Sequence, residues 1–207
     1  VLEAARTYDE QVGDTMGALR CLIGALEHDP EMEVVLPRIR EYGEALDEAN
    51  ASKPGAPKHL GALAELRANG EVINAKKNQT ETVVQLLERR AEIREQRLDD
   101  VPGAMAEWFR VLVIDPDHGR ADEELERLAD SKQAWSRYLA LPAWRAQTAG
   151  DPADEARYYV QLADVYEQRL KKPEHAFRAL TWAWKCKPDL PDLTGPLDES
   201  NDRMWQL

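Results

Sequence analysis

The sequence has few of the residues on which catalysis and metal binding depend. Among its 207 residues are two cysteines and four histidines, and no histidine is spaced from another His or from a Cys as metal ligands are. No glycine-rich phosphate loop, nucleophile elbow or HExxH motif occurs. We therefore predict no enzymatic activity, no catalytic residue, no metal site and no cofactor. Cys21 and Cys186 are predicted to be small buried side chains that do not pair with each other.

Positive charge is also scarce, and long apolar runs are missing. The chain has 27 Lys and Arg against 39 Asp and Glu, which gives a net charge of −12. Nucleic acid is therefore not an expected partner, because phosphate binding requires a basic face. No stretch approaches the roughly 18 apolar residues of a membrane span, so no membrane insertion is expected. Most of the acidic residues are predicted to lie on solvated helix faces.

The sequence also gives expectations about the cellular location of the protein and about whether the chain is complete. A cytoplasmic location is the default for a chain of this composition. The sequence begins at Val1 within a helical pattern and ends at DESNDRMWQL, partway through a further helix pattern after Pro196. We therefore expect a fragment of a longer chain, whose targeting signal would lie outside these residues.

Strand patterns are missing too, and helical periodicity takes their place. No segment shows sustained alternation of apolar and polar residues between turns, whereas residues 152–188 show two successive amphipathic helices. Asp151 is the expected N-cap and Pro152 the first helical residue. The first helix carries Tyr159, Leu162, Ala163 and Tyr166 on one face, and the second carries Ala176, Phe177, Leu180, Ala183 and Trp184 before Pro188 ends it. The pattern predicts two helices that pack as an antiparallel hairpin.

Looser copies of this hairpin recur along the chain. The clearest predicted hairpins are 1–30, 80–116 and 152–188. They share a small residue at a helix crossing and a closing proline: Ala18, Ala104 and Ala176, then Pro30, Pro116 and Pro188. We also predict a helix over Thr15–His28 capped by Asp14, a cap at Asn78 or Thr80, a helix opened by Asp100, and a helix from Gln133 to Ala149 kinked at Pro142. Residues 50–61, NASKPGAPKHLG, are predicted to be an inserted loop. Trp108, Trp182 and Trp184 are assigned to the core.

The hairpin resembles the tetratricopeptide repeat, which is about 34 residues long. The positions that match the repeat are Tyr159, Leu162, Ala163, Tyr166, Ala176, Leu180, Ala183 and Pro188. The departures are one extra residue in the turn and Leu180 at a position where Phe is commoner. The resemblance implies an all-α, right-handed solenoid of antiparallel helix hairpins that forms a single domain over residues 1–207.

The resemblance also implies a binding surface, because the first helix of each such hairpin lines a concave groove. Carried onto this sequence, the partner-binding positions are Arg6, Asp9 and Glu10, then Gln85, Glu88, Glu92, Glu95 and Gln96, and finally Arg157, Val160, Asp164, Glu167 and Gln168. Several carboxylates along one groove would create a negative field that attracts basic segments of a protein or peptide.

The predicted function is a non-enzymatic scaffold that presents this groove to a protein or peptide partner. Two alternatives remain open. The chain could be a structural subunit of a larger assembly, for example one associated with a cell envelope, or the accessory repeat region of an enzyme whose catalytic domain lies elsewhere. A helical repeat does not by itself specify a partner.

Overall fold

The computed structural model describes residues 1–188 and divides the chain into two compact units. Unit 1 comprises Val1–Asp122, and unit 2 begins at Glu123. Residues 1–188 contain helices and no strand, which confirms the predicted all-α class over this range. The helix expected after Pro196 lies outside the described residues.

Unit 1 consists of helices joined by short connections. Its elements are α1 (Leu2–Thr7) continued by a π-helical turn (Tyr8–Val12), α2 (Thr15–His28), a 3₁₀ turn (Glu33–Val35), α3 (Leu36–Ala51), α4 (Leu60–Ala75), α5 (Thr80–Gln96), α6 (Val101–Ile114) and the start of α7 (Gly119–Ser131). Helix α1 packs on α2, α3 on α4, and α5 on α6. The connection between α3 and α4 is Ser52–His59, within the loop predicted at 50–61.

The helix N-termini in unit 1 show which capping predictions hold. Asp14 accepts a hydrogen bond from the backbone N–H of Gly17 at 2.8 Å, and Asp100 accepts one from Gly103 at 2.9 Å, so both predicted caps are confirmed. The cap predicted at Asn78 or Thr80 is wrong. Helix α5 begins at Thr80, whose backbone is already helical, so Gln79 takes the cap position without a side-chain hydrogen bond.

Helices α3 and α4 cross with their backbones in direct contact. A methyl group added to Gly43 would lie 2.9 Å from the carbonyl oxygen of Gly61, and one added to Gly61 would overlap the backbone of Gly43. The Asp47 carboxylate from α3 accepts hydrogen bonds from the N–H groups of Gly61 and Ala62 at 2.8 and 3.0 Å. Asp47 therefore caps α4 from a neighbouring helix, and the two glycines allow the approach that this cap requires.

Unit 2 contains the hairpin that is clearest in the sequence. Its helices after α7 are α8 (Trp135–Tyr138), α9 (Ala140–Thr148), α10 (Pro152–Asp164) with a π-helical turn (Val165–Arg169), and α11 (Pro173–Cys186). The predicted cap holds, because Asp151 accepts a hydrogen bond from Ala153 N–H at 2.5 Å. The helix predicted from Gln133 to Ala149 is instead divided at Leu139, and Pro142 lies buried in the first turn of α9 rather than at a kink.

The small residues predicted at helix crossings are in the core. Ala18 and Ala104 in unit 1 and Ala176 in unit 2 are fully buried. In unit 2, Ala176 packs with Ala156 and Ala163 of α10, so the two helices meet along small side chains. This part of the hairpin prediction is confirmed.

The tryptophan prediction is right for α6 and wrong for α11. Trp108 is 1% exposed, whereas Trp182 and Trp184 are 53% and 49% exposed. Helix α11 buries a narrow stripe of Ala and Leu against α10, so bulky residues at the margins of that stripe remain at the surface. Trp182 stacks on Tyr159 with ring centroids 6.4 Å apart, and the Lys185 ammonium lies 4.5 Å above its ring.

The two cysteines are unpaired, as predicted. Both are partly buried. Burial raises the pKa of the Cys186 thiol, and the neighbouring Glu155 carboxylate raises it further. Cys186 is therefore expected to be a weaker nucleophile at neutral pH than a solvent-exposed cysteine.

Candidate functional site

The first group of predicted groove residues lies beside a cavity in unit 1. Arg6 and Glu10 line a cavity of about 490 Å³ together with Tyr42, and they pair with each other at 2.8 Å. Asp9 accepts a hydrogen bond from the hydroxyl of Thr15 at 2.7 Å, which ties the π-helical turn to the start of α2. Asp9 is therefore engaged in local structure, while Arg6 and Glu10 are at the surface.

The second group lies on α5, and part of its negative charge is balanced. Glu88 and Glu92 bind the Arg120 guanidinium at 3.2 and 2.8 Å, and His118 lies 3.8 Å from Glu88. Glu95 and Gln96 follow at the end of the same helix, half-buried and exposed respectively. Two carboxylates of the acidic strip predicted on α5, those of Glu88 and Glu92, are therefore paired with Arg120 of the same unit.

The third group, in unit 2, divides between a cavity, the surface and the core. Asp164 and Gln168 line a cavity, Glu167 is half-buried, and Arg157 pairs with Asp154 at 2.9 Å. Val160 was predicted as a partner contact, but it is only 7% exposed and packs inside the hairpin core. The correction follows from the packing of α10, which buries Val160 in the core cluster of unit 2 rather than leaving it at the surface.

The cavity that contains Asp164 and Gln168 has an aromatic wall and an acidic rim. It has a volume of about 310 Å³ and is called the aromatic–acidic cavity below. Its lining residues are Glu126, Trp135, Tyr138, Gln161, Asp164, Val165, Gln168 and Arg169. The rings of Trp135 and Tyr138 meet edge to face at 5.2 Å, and the Arg169 guanidinium lies 4.6 Å above the Trp135 ring.

An adjoining cavity extends the same acidic surface. It measures about 350 Å³, shares Glu126, Trp135 and Arg169 with the first, and adds Glu123, Arg127 and Asp130. Asp130 pairs with Arg169 at 3.4 Å. Gln168 and Arg169 lie in the π-helical turn Val165–Arg169, and such turns often occur at functional sites. Trp135 and Tyr138 are spaced as core residues of a helix, so their place in a cavity wall is not visible in the sequence.

Unit 1 contains two buried carboxylates, Glu65 and Glu107, which are exceptions to the prediction that most acidic residues lie on solvated helix faces. Glu65 is only 2% exposed and receives hydrogen bonds from Arg40, Arg89 and Arg97 at 3.1, 2.8 and 2.8 Å. Arg97 also binds Asp47, the residue that caps α4, at 2.7 Å. The three guanidiniums compensate the desolvation of the carboxylate, which an unpaired charge could not bear.

A second buried carboxylate repeats the arrangement. Glu107 of α6 binds Arg90, Arg94 and Arg110 at 2.8, 3.2 and 2.8 Å. Arg90 also donates to the carbonyl oxygen of Leu66 on α4 at 2.6 Å. Helix α5 thus provides arginines to Glu65 on one neighbour and Glu107 on another. The sequence signal was the position of these two acids within apolar helical runs, GALAEL and GAMAEW.

Above Glu65 lies a further cavity of about 360 Å³, called the polar cavity below. Its lining residues are Glu33, Leu36, Pro37, Arg40, Glu65, Asn69, Thr82, Gln85, Leu86 and Arg89. Gln85 is one of the first-helix positions that the repeat resemblance implied. Asn69 is only 3% exposed, and its Nδ2 has no hydrogen-bond partner among the described residues. A buried amide without a partner is unusual and calls for an explanation.

The unpartnered amide leads to a stability prediction. Asn69→Leu replaces the amide with an apolar side chain of similar shape, so the cost of burying an unsatisfied donor is removed. We expect the free energy of unfolding to stay the same or rise by about 1–3 kcal/mol, measured by urea denaturation. Asn69→Asp serves as the contrasting variant, because it buries a charge beside Glu65 and is expected to destabilise. A loss of stability in Asn69→Leu would show that the amide has a structural partner.

Residues 1–188 contain no group of three His, Cys, Asp or Glu side chains arranged to hold a metal ion. None of their helices combines the length and apolar character needed to cross a bilayer.

Compared with known proteins, the chain matches no family model and no curated sequence. Its class is therefore defined by its own features: helix pairs, buried Arg–Glu clusters and the four cavities described above, each lined partly by charged side chains.

Proposed function

We propose that the chain is a non-enzymatic interaction scaffold that binds a protein partner through the partner's basic side chain. We further propose that its helix pairs continue as a right-handed solenoid similar to tetratricopeptide repeats. The observation that carries the proposal is the aromatic–acidic cavity, in which Asp164 and Gln168 stand beside Trp135 and Tyr138. Both were expected at a binding surface from their positions in the hairpin's first helix.

The chemistry of this cavity favours a guanidinium or an ammonium group. The Arg169 guanidinium rests on Trp135 at 4.6 Å, and Trp135 is only 5% exposed, so a partner's cation would contact the half-buried Tyr138 ring beside it. Two carboxylates, from Glu126 and Asp164, line the cavity, and Glu123 and Asp130 extend the negative surface beside it. Exposed charges contribute little affinity individually, so the carboxylates would speed the encounter and the aromatic contact would hold the bound side chain.

The partner can be found by placing a photo-crosslinking amino acid at position 168, with position 178 as the control. Gln168 and Arg178 are both exposed on the same hairpin, but only Gln168 lines the cavity. The proposal expects an adduct at 168 that is weak or absent at 178. Equal adducts at both positions would indicate non-specific capture.

Charge reversal then tests the role of the cavity. In Glu126→Lys combined with Asp164→Lys, the negative field that attracts a basic partner is inverted. We expect the association rate with the captured partner to fall about tenfold at low salt and to depend less on salt. The matched control is Asp154→Lys with Glu174→Lys, which makes the same change in net charge at exposed sites outside the cavity.

Circular dichroism of each double variant establishes that the helices remain intact. If Glu126→Lys with Asp164→Lys associates as fast as the unmodified protein, the cavity is not the binding site. If both pairs slow association equally, the effect comes from net charge rather than from this surface.

A further inference from the structure

The polar cavity in unit 1 is lined by residues with hydrogen-bond donors for which the described part of the chain provides no acceptor. Asn69 is almost completely buried, and its Nδ2 is unpartnered within residues 1–188. Arg40 donates through Nε to Glu65 at 3.1 Å, and its terminal Nη atoms make no hydrogen bond to the described residues. Both residues line the cavity: Asn69 is buried, and the Arg40 side chain is 51% exposed.

The carboxylate at the base of the cavity is fully engaged and cannot serve as their acceptor. Oε1 of Glu65 receives Arg40 and Arg89, and Oε2 receives Arg97 at 2.8 Å and Arg89 at 3.3 Å. The other lining carboxylate, Glu33, binds the buried Lys76 ammonium at 3.0 Å. Glu65 therefore fixes the orientation of Arg40, which leaves the outer edge of the guanidinium preorganised for another acceptor.

The rest of the lining limits the kind of ligand. Thr82 and Gln85 add a hydroxyl and an amide from α5, while Leu36, Pro37 and Leu86 provide apolar surface. The volume of about 360 Å³ lies within the range of small-ligand sites, roughly 300–1,000 Å³. A fitting ligand thus has an acceptor group that is anionic and compact, attached to a short apolar stem.

We propose that the polar cavity binds a carboxylate on a short apolar stem, with Arg40 and Asn69 as its donors. The carboxylate can belong to a small free acid or to an acidic side chain next to an apolar residue in a peptide. This site is in unit 1 and uses none of the residues of the aromatic–acidic cavity. Failure of either proposal therefore leaves the other standing.

The test follows the side-chain N–H signals of Asn69 and Arg40 in proton–nitrogen correlation spectra during titration. The probes are hexanoate and the peptide acetyl-Leu-Glu-Leu-amide. Each has a neutral partner of the same shape, namely hexanamide and acetyl-Leu-Gln-Leu-amide. The proposal expects saturable shifts of both signals with at least one carboxylate probe and much weaker binding of its neutral partner. If hexanoate binds as tightly as the peptide, the natural ligand is a small free acid. If only the peptide binds, the natural ligand is an acidic side chain of a peptide.

Variants connect the shifts to the assigned donors. Arg40→Gln and Asn69→Leu should each weaken binding of the carboxylate probe about tenfold or more, because each removes a hydrogen bond to a charged acceptor. Arg38→Gln is the matched control: it removes the same charge from the same helix, but Arg38 does not line the polar cavity and pairs with Glu41 instead. Its affinity should equal that of the unmodified protein.

Three results would overturn the proposal. The first is the absence of any shift at Asn69 or Arg40 with both carboxylates. The second is equal binding of the neutral partners, which would show that the negative charge is not recognised. The third is equal weakening by Arg38→Gln and Arg40→Gln, which would reduce the effect to bulk charge. Asn69→Leu keeps the test valid if Arg40→Gln folds poorly, because it changes no charge.

Discussion

Gly61→Ala is expected to destabilise unit 1 by about 3 kcal/mol, although alanine is the better helix former. The added methyl group would overlap the backbone of Gly43, and backbone atoms cannot move aside as a flexible side chain can. Separating α3 from α4 would also lengthen the hydrogen bonds by which Asp47 caps α4. Urea denaturation followed by circular dichroism measures the change.

Gly24→Ala is the matched control for this prediction. Gly24 lies within α2, and an added methyl group would meet no atom within 4 Å. Here only helix propensity operates, so the variant should be more stable by about 1 kcal/mol. If the two substitutions shift stability in the same direction, the close crossing of α3 and α4 is not present in solution.

Glu65→Gln is expected to cost about 3–5 kcal/mol of stability, the largest effect of any single isosteric change considered for this chain. The substitution keeps the shape of the side chain but leaves Arg40, Arg89 and Arg97 facing a neutral amide. The amide also places donors where the guanidiniums require acceptors. Urea should be used as the denaturant, because guanidinium chloride is a salt and would itself screen the charges of the cluster.

The control for Glu65→Gln is Glu27→Gln. Glu27 also binds an arginine, Arg67, but both side chains are largely exposed. An exposed pair of this kind contributes at most about 1 kcal/mol, so the control should have little effect. Similar small losses in both variants would show that the Glu65 cluster is hydrated rather than buried.

Local rules predicted the elements that depend on neighbouring residues. The caps at Asp14, Asp100 and Asp151, and the burial of Ala18, Ala104 and Ala176, follow from patterns within one hairpin. The cap of α5 was missed although it is also a local feature. Asn78 and Thr80 are both common cap residues, but α5 begins at Thr80, so the cap position falls on Gln79 between them.

Features that depend on distant segments could not be predicted in this way. The Glu65 cluster joins residues on α3, α4 and α5, and no periodicity within one helix reveals that Arg40 and Arg97 meet the same carboxylate. The exposure of Trp182 and Trp184 has a related origin. An aromatic residue at the margin of an apolar stripe is buried only if another segment packs over it, and that depends on distant parts of the chain.

The candidate site was predicted only in part. Asp164 and Gln168 line the aromatic–acidic cavity, yet the wall that gives this cavity its chemistry comes from Trp135 and Tyr138 on a different helix. The polar cavity was represented in the sequence by Gln85 alone. Asn69 follows the apolar run of α4 as an ordinary polar residue, and only the three-dimensional packing shows that it is buried without a partner.

The Arg–Glu clusters also affect how this sequence can change over evolutionary time. Loss of Glu65 alone leaves three guanidiniums without their shared acceptor, and loss of any one arginine leaves the carboxylate less compensated. A joint replacement of the whole cluster by well-packed apolar residues would instead be neutral or stabilising. Arg40, Glu65, Arg89 and Arg97 are therefore strongly epistatic. Single-step drift at one of them is selected against, so in diverging descendants the four positions should be retained together or exchanged together.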